Sequence, residues 1–475
     1  MGHLVSTVEL AKLVLQRDHR ISILILIVKL PFKSSSMLDT FLDNQSRDNP
    51  YPARLTFSTL PPLSNPPDSS SPLFFPTVID LNKPLIKEAV ESRVRAGSSF
   101  GFVLDMFCTG VVDVAAELKV PSYIYFTSGV SLLNLLFYFG SLVDGKGVDI
   151  CDKFSDPNIE FDVPGFKGRV KGSAIPAVCL DKENGSSMIL NHTRRFKKSK
   201  GILVNSFEEL ETYGVQTLLE QAAEGSMPRV YPVGPILDLN KKSRDGSPRQ
   251  DDEESTITQW LDNQPLSSVV FLCFGSMGTF DEAQVKEMAH GIEKSGHRFL
   301  WSLRKPPPEG KMWSINEHET FVEALPEGFL ERTADRGKII GWAPQVSILG
   351  HPSIGGFVSH CGWNSTLESL WFGVPIATWP LYAEQQLNAF ELLKELELAV
   401  EIRMDYRRDW NTKTQNFMVT AEEIENGVKK LMSLDDETKN RVEEMKDKSR
   451  NALEEGGSSY KWLGCFIQDV LSNAA

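Results

Sequence analysis

Residues 342–385 gather groups suited to holding a charged, hydroxyl-rich ligand: the indoles of Trp342 and Trp363, the donors His360, Asn364 and Ser365, the carboxylates Glu368 and Glu384, and the carboxamides Gln345 and Gln385. An apolar run at 354–359 suits a buried strand. The turn His360-Cys361-Gly362 then leads into a helix that continues through Leu367, Leu370 and Trp371. A helix start presents unpaired N–H groups and the positive end of a dipole, so a diphosphate is its natural guest. Asn364 and Glu368 lie one turn apart on a shared face, which lets Glu368 reach past the phosphates toward a ribose diol. Tyr382-Ala383-Glu384-Gln385 follows a strand at 374–379, at the carboxyl end where open α/β sheets hold ligands, and adjacent carboxylate and carboxamide groups suit a sugar.

The elements that must position these groups alternate along the chain. A helix at 4–17 is followed by strands at 21–30, 100–106, 123–127 and 201–205, interleaved with helices at 85–96, 111–118, 132–138 and 208–224. Pro84 is expected at the start of the 85–96 helix, where a missing N–H costs nothing. Residues 144–191 loosen into Gly, Pro and charge, which suits ligand-facing loops. A second alternating series runs through strands at 269–274, 298–303, 338–341, 354–359, 374–379 and 399–402, with helices at 256–262, 281–294, 387–396, 421–432 and 439–454. A variable loop holding Pro306-Pro307-Pro308 spans 305–320. Two successive β/α series predict an α/β protein with two doubly wound, Rossmann-like domains. The boundaries are 1–236 for the first domain, an exposed linker at 237–255 and 256–455 for the second. A last helix within 456–475 is expected to pack back on the first domain.

A chain of 475 residues exceeds what a single core supports, which agrees with two domains. The net charge of −13 argues against nucleic acid or an anionic membrane as the main partner, without excluding a local anion pocket. Six scattered cysteines show neither a C-x-x-C pair nor metal-ligand spacing, so reduced thiols in a cytoplasmic protein are expected. The apolar run 21–28 is broken by Lys29 and is too short to span a bilayer, so it reads as a strand.

The passage from Trp342 to Gln385 closely resembles the signature of plant family 1 UDP-sugar glycosyltransferases. That resemblance implies the GT-B arrangement, two such domains facing a cleft, the first binding the acceptor and the second the UDP-sugar. It implies that Trp342 stacks on uracil, that the Ala343 backbone pairs with the base edge, and that Gln345 and Glu368 hold the ribose. Ser276, His360, Asn364 and Ser365 would take the diphosphate, Trp363, Glu384 and Gln385 the hexose, and Thr127 the sugar's primary hydroxyl. Gln385 points to UDP-glucose over UDP-galactose. The family's catalytic histidine falls on His3, with Asp105 as its partner. The chain begins within the family's P-x-x-G-x-G-H turn, so one strand of the family pattern before the first helix is not represented.

The expected reaction is inverting transfer of glucose from UDP to a hydroxyl of a flavonoid, other phenolic or terpenoid. His3, kept neutral by the helix start, would be the base, and Asp105 would fix its tautomer. No D-x-D occurs, and no metal or cofactor beyond the UDP-glucose cosubstrate is expected. The protein is expected to act as a monomer without membrane insertion. The alternative from another class is a catalytically silent UDP-sugar-binding protein. An epimerase or hydrolase would need a G-x-G-x-x-G turn or a paired carboxylate motif, and neither is seen. For Asp105 the bland alternative is a helix N-cap; for Trp342, Trp363 and Trp371 it is a place in the core, adopted here only for Trp371.

Overall fold

The computed structural model describes residues 2–30, 35–68, 71, 73–95, 100–239, 248–307, 319–406 and 418–473. The chain divides into two compact units. One comprises Met1–Gly172, Ala177–Asp238 and Ser449–Ala475, the other Ser173–Pro176 and Leu239–Lys448.

The first unit runs α1 (Gly2–Arg17), β1 (Ile23–Ile27), α2 (Ser35–Arg47), β2 (Leu55–Thr59), α3 (Phe74–Arg95), β3 (Phe102–Asp105), α4 (Val111–Leu118) and β4 (Ser122–Phe126). It continues through α5 (Val130–Lys146), α6 (Ile150–Lys153), β5 (Glu160–Phe161), β6 (Val170–Lys171), α7 (Gly185–Phe196), β7 (Gly201–Val204), α8 (Thr212–Ala223) and β8 (Arg229–Pro232). Strands β3-β4-β7-β8 form a parallel sheet in that order, and β1 pairs in parallel with β2 in a separate sheet. The runs SYIYF and GILV are continuous because both faces of these strands are buried, as parallel sheets require. Helix α1 is apolar on two faces. Val5, Val8, Ala11 and Leu15 pack with Ile25, Ile27, Phe41 and Leu55, while Leu10 and Val14 pack with Tyr123, Tyr125, Leu203 and Tyr231.

The second unit runs α9 (Pro248–Asp262), β9 (Val269–Cys273), α10 (Glu282–Ser295), β10 (Arg298–Ser302), α11 (Phe329–Arg332), β11 (Gly337–Ile340), α12 (Gln345–Leu349) and β12 (Ile354–Ser359). Then come α13 (Trp363–Phe372), β13 (Ile376–Thr378), α14 (Gln385–Phe390), β14 (Ala399–Glu401), α15 (Ala421–Met432) and α16 (Asp436–Asn451). Its six parallel strands follow the order β11-β10-β9-β12-β13-β14. That is the doubly wound order 3-2-1-4-5-6, whose direction reverses between β9 and β12 and opens a crevice at their carboxyl ends. Trp301 and Trp379, almost wholly buried, anchor the core with Phe274, Phe280 and Phe299. Asp281 caps α10 by accepting from the Gln284 N–H, and Thr420 with Glu423 forms a capping box on α15, so both helices have their first N–H groups satisfied. The final helix, α17 (Ser458–Asn473), belongs to the first unit, where Leu463, Phe466 and Ile467 pack with Tyr123 and Tyr231.

Three sequence expectations need correction. Pro84 does not open its helix but lies inside α3, which begins at Phe74. Phe74, Val78, Asn82, Ile86 and Val90 recur at four-residue intervals on its buried face, and Asn82 masks the pattern because its polar side chain is buried by donating to the Val78 carbonyl at 2.8 Å. Pro84 is exposed, so the hydrogen bond it withholds from the preceding turn is lost on the solvent side. The linker reading of 237–255 extends too far, because α9 starts at Pro248. Pro suits a first helical position, and Asp252, Glu253 and Glu254 complement the positive helix start, so a segment almost free of apolar residues is helical. The helix expected at 387–396 is α14 followed by a π-turn at Glu391–Glu395. Pro308 and the rest of 308–318 lie outside the described residues.

Candidate active site

The crevice between β9 and β12 is lined by two turns. After β9 comes Gly275-Ser276-Met277-Gly278, and after β12 comes His360-Cys361-Gly362, which leads into α13. Gly275 has φ +71°, and a Cβ there would lie 2.4 Å from His360 Nε2; one at Gly362 would lie 2.5 Å from the same atom. The imidazole is therefore gripped between two glycines, and a side chain at either position would meet it.

Gly362 caps α13 without any side-chain hydrogen bond. His360 Nδ1, Asn364 Oδ1 and Thr366 Oγ1 are buried with no hydrogen-bond partner. Orphaned polar atoms are costly inside a protein, and three of them around one helix start mark a place that a polar ligand completes. Gln345 Nε2 donates to Glu368 Oε2 at 2.6 Å and to Ser365 Oγ at 2.9 Å, so three of the expected ligand residues form one cluster. Trp342, three residues before Gln345, is half-buried. Gln385 accepts from the N–H groups of Leu381 and Tyr382 at 2.9 and 3.0 Å through Oε1, which orients its amide nitrogen for another partner. Asn388 donates to the Cys361 carbonyl at 2.9 Å and ties α14 to the same turn.

In the first unit, His3 Nδ1 lies 2.6 Å from Asp105 Oδ2. The other carboxylate oxygen accepts from the Phe107 N–H at 2.9 Å, so Asp105 is held in place for the imidazole. It does not cap α4, whose N-cap is Gly110 without a side-chain bond. The phenyl ring of Phe107 stacks on His3 with centroids 5.3 Å apart. Thr127 Oγ1 is 3.0 Å from His3 Nδ1, and therefore meets the imidazole directly. Behind them, Ser6 and Tyr125 share a hydrogen bond of 2.5 Å and Asn205 donates to Ser6 at 3.4 Å, which pins α1 to the sheet one turn after His3.

Burial, and after it the Arg304 guanidinium, pushes the His360 pKa down to about 4; burial, and after it Arg195, does the same for His192, whose Nδ1 is 2.7 Å from Thr109 Oγ1. Unfolded, each imidazole takes up its proton near pH 6.5, so between these values the unfolded chain binds more protons. Stability then falls as pH is lowered through that window, by about 1.4 kcal/mol per pH unit for each group. The thermal midpoint is expected to drop less steeply below about pH 6.5 in His192→Gln than in the natural chain. Parallel slopes would contradict this account of His192.

The structure thus brings Gln345, Ser365 and Glu368 into contact and places His360 and Asn364 at the same helix start. Glu384 and Gln385 open α14, and Ser276 is exposed on the glycine turn. Trp363 corrects the sequence reading: it is 4% exposed although it sits at a turn, whereas Trp371, assigned to the core, is only partly buried. The first residue of α13 faces inward because the turn at Cys361, with φ +60°, redirects the chain there. Sequence reasoning missed Phe107, Asn388 and Arg304; the last carried a signal, a cation directly ending the apolar strand run FLWSL. Among the described residues no group of three or more His, Cys, Asp or Glu side chains gathers to hold a metal, and no helix is long and apolar enough to cross a membrane.

A 3-2-1-4-5-6 sheet with an anion-ready helix start and a carboxylate–carboxamide pair at its switch point defines a nucleotide-binding α/β protein. The family model described as "UDP-glucoronosyl and UDP-glucosyl transferase" matches residues 235–440. A UDP-glucose flavonoid 3-O-glucosyltransferase of Fragaria ananassa is 48% identical over 476 residues, 99% of this chain and 96% of its own. A transferase of Siraitia grosvenorii solved in complex with UDP superposes with a TM-score of 0.87 at 43% identity, covering 99% of this chain and 97% of that one. Medicago truncatula UGT71G1, solved with UDP-glucose, gives 0.84 at 38% identity, covering 99% and 96%. The chain belongs to the plant family 1 UDP-glycosyltransferases, enzymes of the GT-B fold.

Proposed function

We propose that the protein is an inverting, UDP-glucose-dependent O-glucosyltransferase of small hydroxylated aromatic or terpenoid plant metabolites, with His3 as its base. The observation that carries this reading is the pairing of His3 Nδ1 with Asp105, which directs the Nδ1 proton to the carboxylate and so makes Nε2 the basic nitrogen of the ring. In this mechanism Nε2 takes the hydroxyl proton as the oxygen attacks the anomeric carbon. Asp105 stabilises the imidazolium and holds the tautomer. The bond to UDP breaks on the opposite face, so the configuration inverts.

The departing diphosphate meets the α13 start with His360, Asn364 and Ser365, together with Ser276. One well-placed donor of this kind contributes about 2.7–4 kcal/mol in comparable sites. Trp342 stacks on uracil, the Ala343 backbone meets the base edge, and Gln345 and Glu368 take the ribose hydroxyls. Glu384 and Gln385 take the glucose hydroxyls, and Thr127 orients the base besides reaching the sugar. Trp363, being buried, shapes the hexose pocket as a wall. The assignment of UDP-glucose is supported by Gln385 and by the UDP-glucose bound to the Medicago neighbour. A flavonoid or related acceptor is supported by the name of the Fragaria relative.

Incubation with UDP-glucose and a panel of flavonols, simple phenols and terpenoid alcohols is expected to yield glucosides whose anomeric proton coupling in NMR reports the β configuration. An α-glucoside would overturn the inverting mechanism. Calorimetric binding of UDP-glucose with no glucoside from any acceptor would favour the silent binding protein, and faster turnover with UDP-galactose would overturn the donor assignment.

A further inference from the structure

Arg304, just beyond the end of β10, is 5% exposed. Its guanidinium donates to three backbone carbonyls of the glycine turn: Ser276 at 2.8 Å, Gly278 at 3.2 Å, and Gly275. No carboxylate pairs with it among the described residues, so three carbonyls solvate the guanidinium while no counter-charge cancels it. A buried charge without a counter-charge is costly and is retained where something else compensates it. Its field reaches the donor cradle, since the same guanidinium is the second cause that keeps His360 neutral.

The carbonyl contacts have a geometric consequence. In a planar trans peptide the N–H points opposite to the C=O of the same unit. Drawing the Gly275 and Ser276 carbonyls onto one guanidinium therefore turns the N–H groups of Ser276 and Met277 away from it, toward the exposed side of the turn. Successive N–H groups aligned in this way form an anion-binding concavity. The buried orphans His360 Nδ1 and Asn364 Oδ1 lie across the same crevice.

We propose that Arg304 is a positioning residue for the donor's diphosphate: it presets the Gly275–Gly278 turn with N–H groups outward and sets an uncancelled positive charge beneath the anion. This rests on the reading of the second unit as the UDP-sugar site. The guanidinium acts through the turn, and the phosphate oxygens bind the amides it aligns. Arginine suits the task because its rigid fork serves several acceptors at once while remaining charged, which lysine's single ammonium does not match.

The test is calorimetric titration of the full chain with UDP and, separately, with uridine, for the natural chain and for Arg304→Met and Arg304→Lys. In Arg304→Met, UDP affinity is expected to fall by about 10- to 100-fold, as for loss of a charged contact, while uridine affinity changes less than about twofold. Arg304→Lys, which keeps the charge but not the fork, is expected to fall between. Equal loss for UDP and uridine, or no loss for UDP, would overturn the proposal and leave the donor-site reading standing. A natural chain that binds neither compound would sink both. If Arg304→Met does not fold, the UDP-to-uridine ratio in Arg304→Lys decides, since a purely structural arginine would leave that ratio unchanged.

Discussion

His3→Ala is expected to lower kcat by roughly 10²- to 10⁴-fold, the range for removal of a general base, with UDP affinity unchanged within about twofold. The separation follows from placement. His3 lies on α1 in the first unit and contacts Asp105, Phe107 and Thr127, whereas the residues assigned to the nucleotide all lie in the second unit. Asp105→Asn is expected to reach a similar loss because the amide can present its N–H to Nδ1, which favours the tautomer with the proton on Nε2, where an acceptor proton must go. Glucoside formation under saturating UDP-glucose, followed by chromatography, gives kcat; UDP titration gives the affinity. A His3→Ala protein that keeps more than about a tenth of the natural kcat would remove His3 from the role of base.

Glu368→Ala is expected to act in the opposite sense, weakening UDP binding by about 10- to 150-fold, the equivalent of 1.5–3 kcal/mol for hydrogen bonds to a charged group. Glu368 is 5% exposed and accepts from Gln345 at 2.6 Å, so the variant both removes the proposed ribose acceptor and leaves the Gln345 amide with Ser365 Oγ alone. A competition series separates these causes. Glu368→Gln keeps the shape and loses the charge, and is expected to bind UDP less tightly than the natural chain but more tightly than Glu368→Ala. Deoxygenation of the ribose, tested with 2′-deoxy-UDP, should cost the natural chain more than it costs Glu368→Ala. Equal penalties in both would place the ribose elsewhere.

Much of the second unit was legible because its determinants are local. The apolar run at 354–359, the glycine turn and the helix that follows are coded within a few residues of one another, and β12, α13 and α15 fall where periodicity places them. Strands β1, β3, β4 and β7 of the first unit were readable for the same reason, whereas β5, β6 and β8 were not among the expected strands. Helix α3 was not, because Asn82 occupies a buried position and Pro84 an exposed one, the reverse of what hydropathy and helix propensity suggest. In α9, likewise, charge hides helix: acidic residues that look like linker are favourable at a helix start.

The sequence by itself determined the β/α alternation, the residues proposed to hold a nucleotide sugar, and the family to which the chain belongs, because these depend on residue type and short-range spacing. Tertiary structure decided which of those residues meet. It set His3 2.6 Å from Asp105 across 102 positions of chain, turned Trp363 inward and Trp371 partly outward, and brought Arg304 beneath the Gly275–Gly278 turn. Such juxtapositions arise from strand order and from packing across the sheet, and neither is encoded in the spacing of neighbours along the chain.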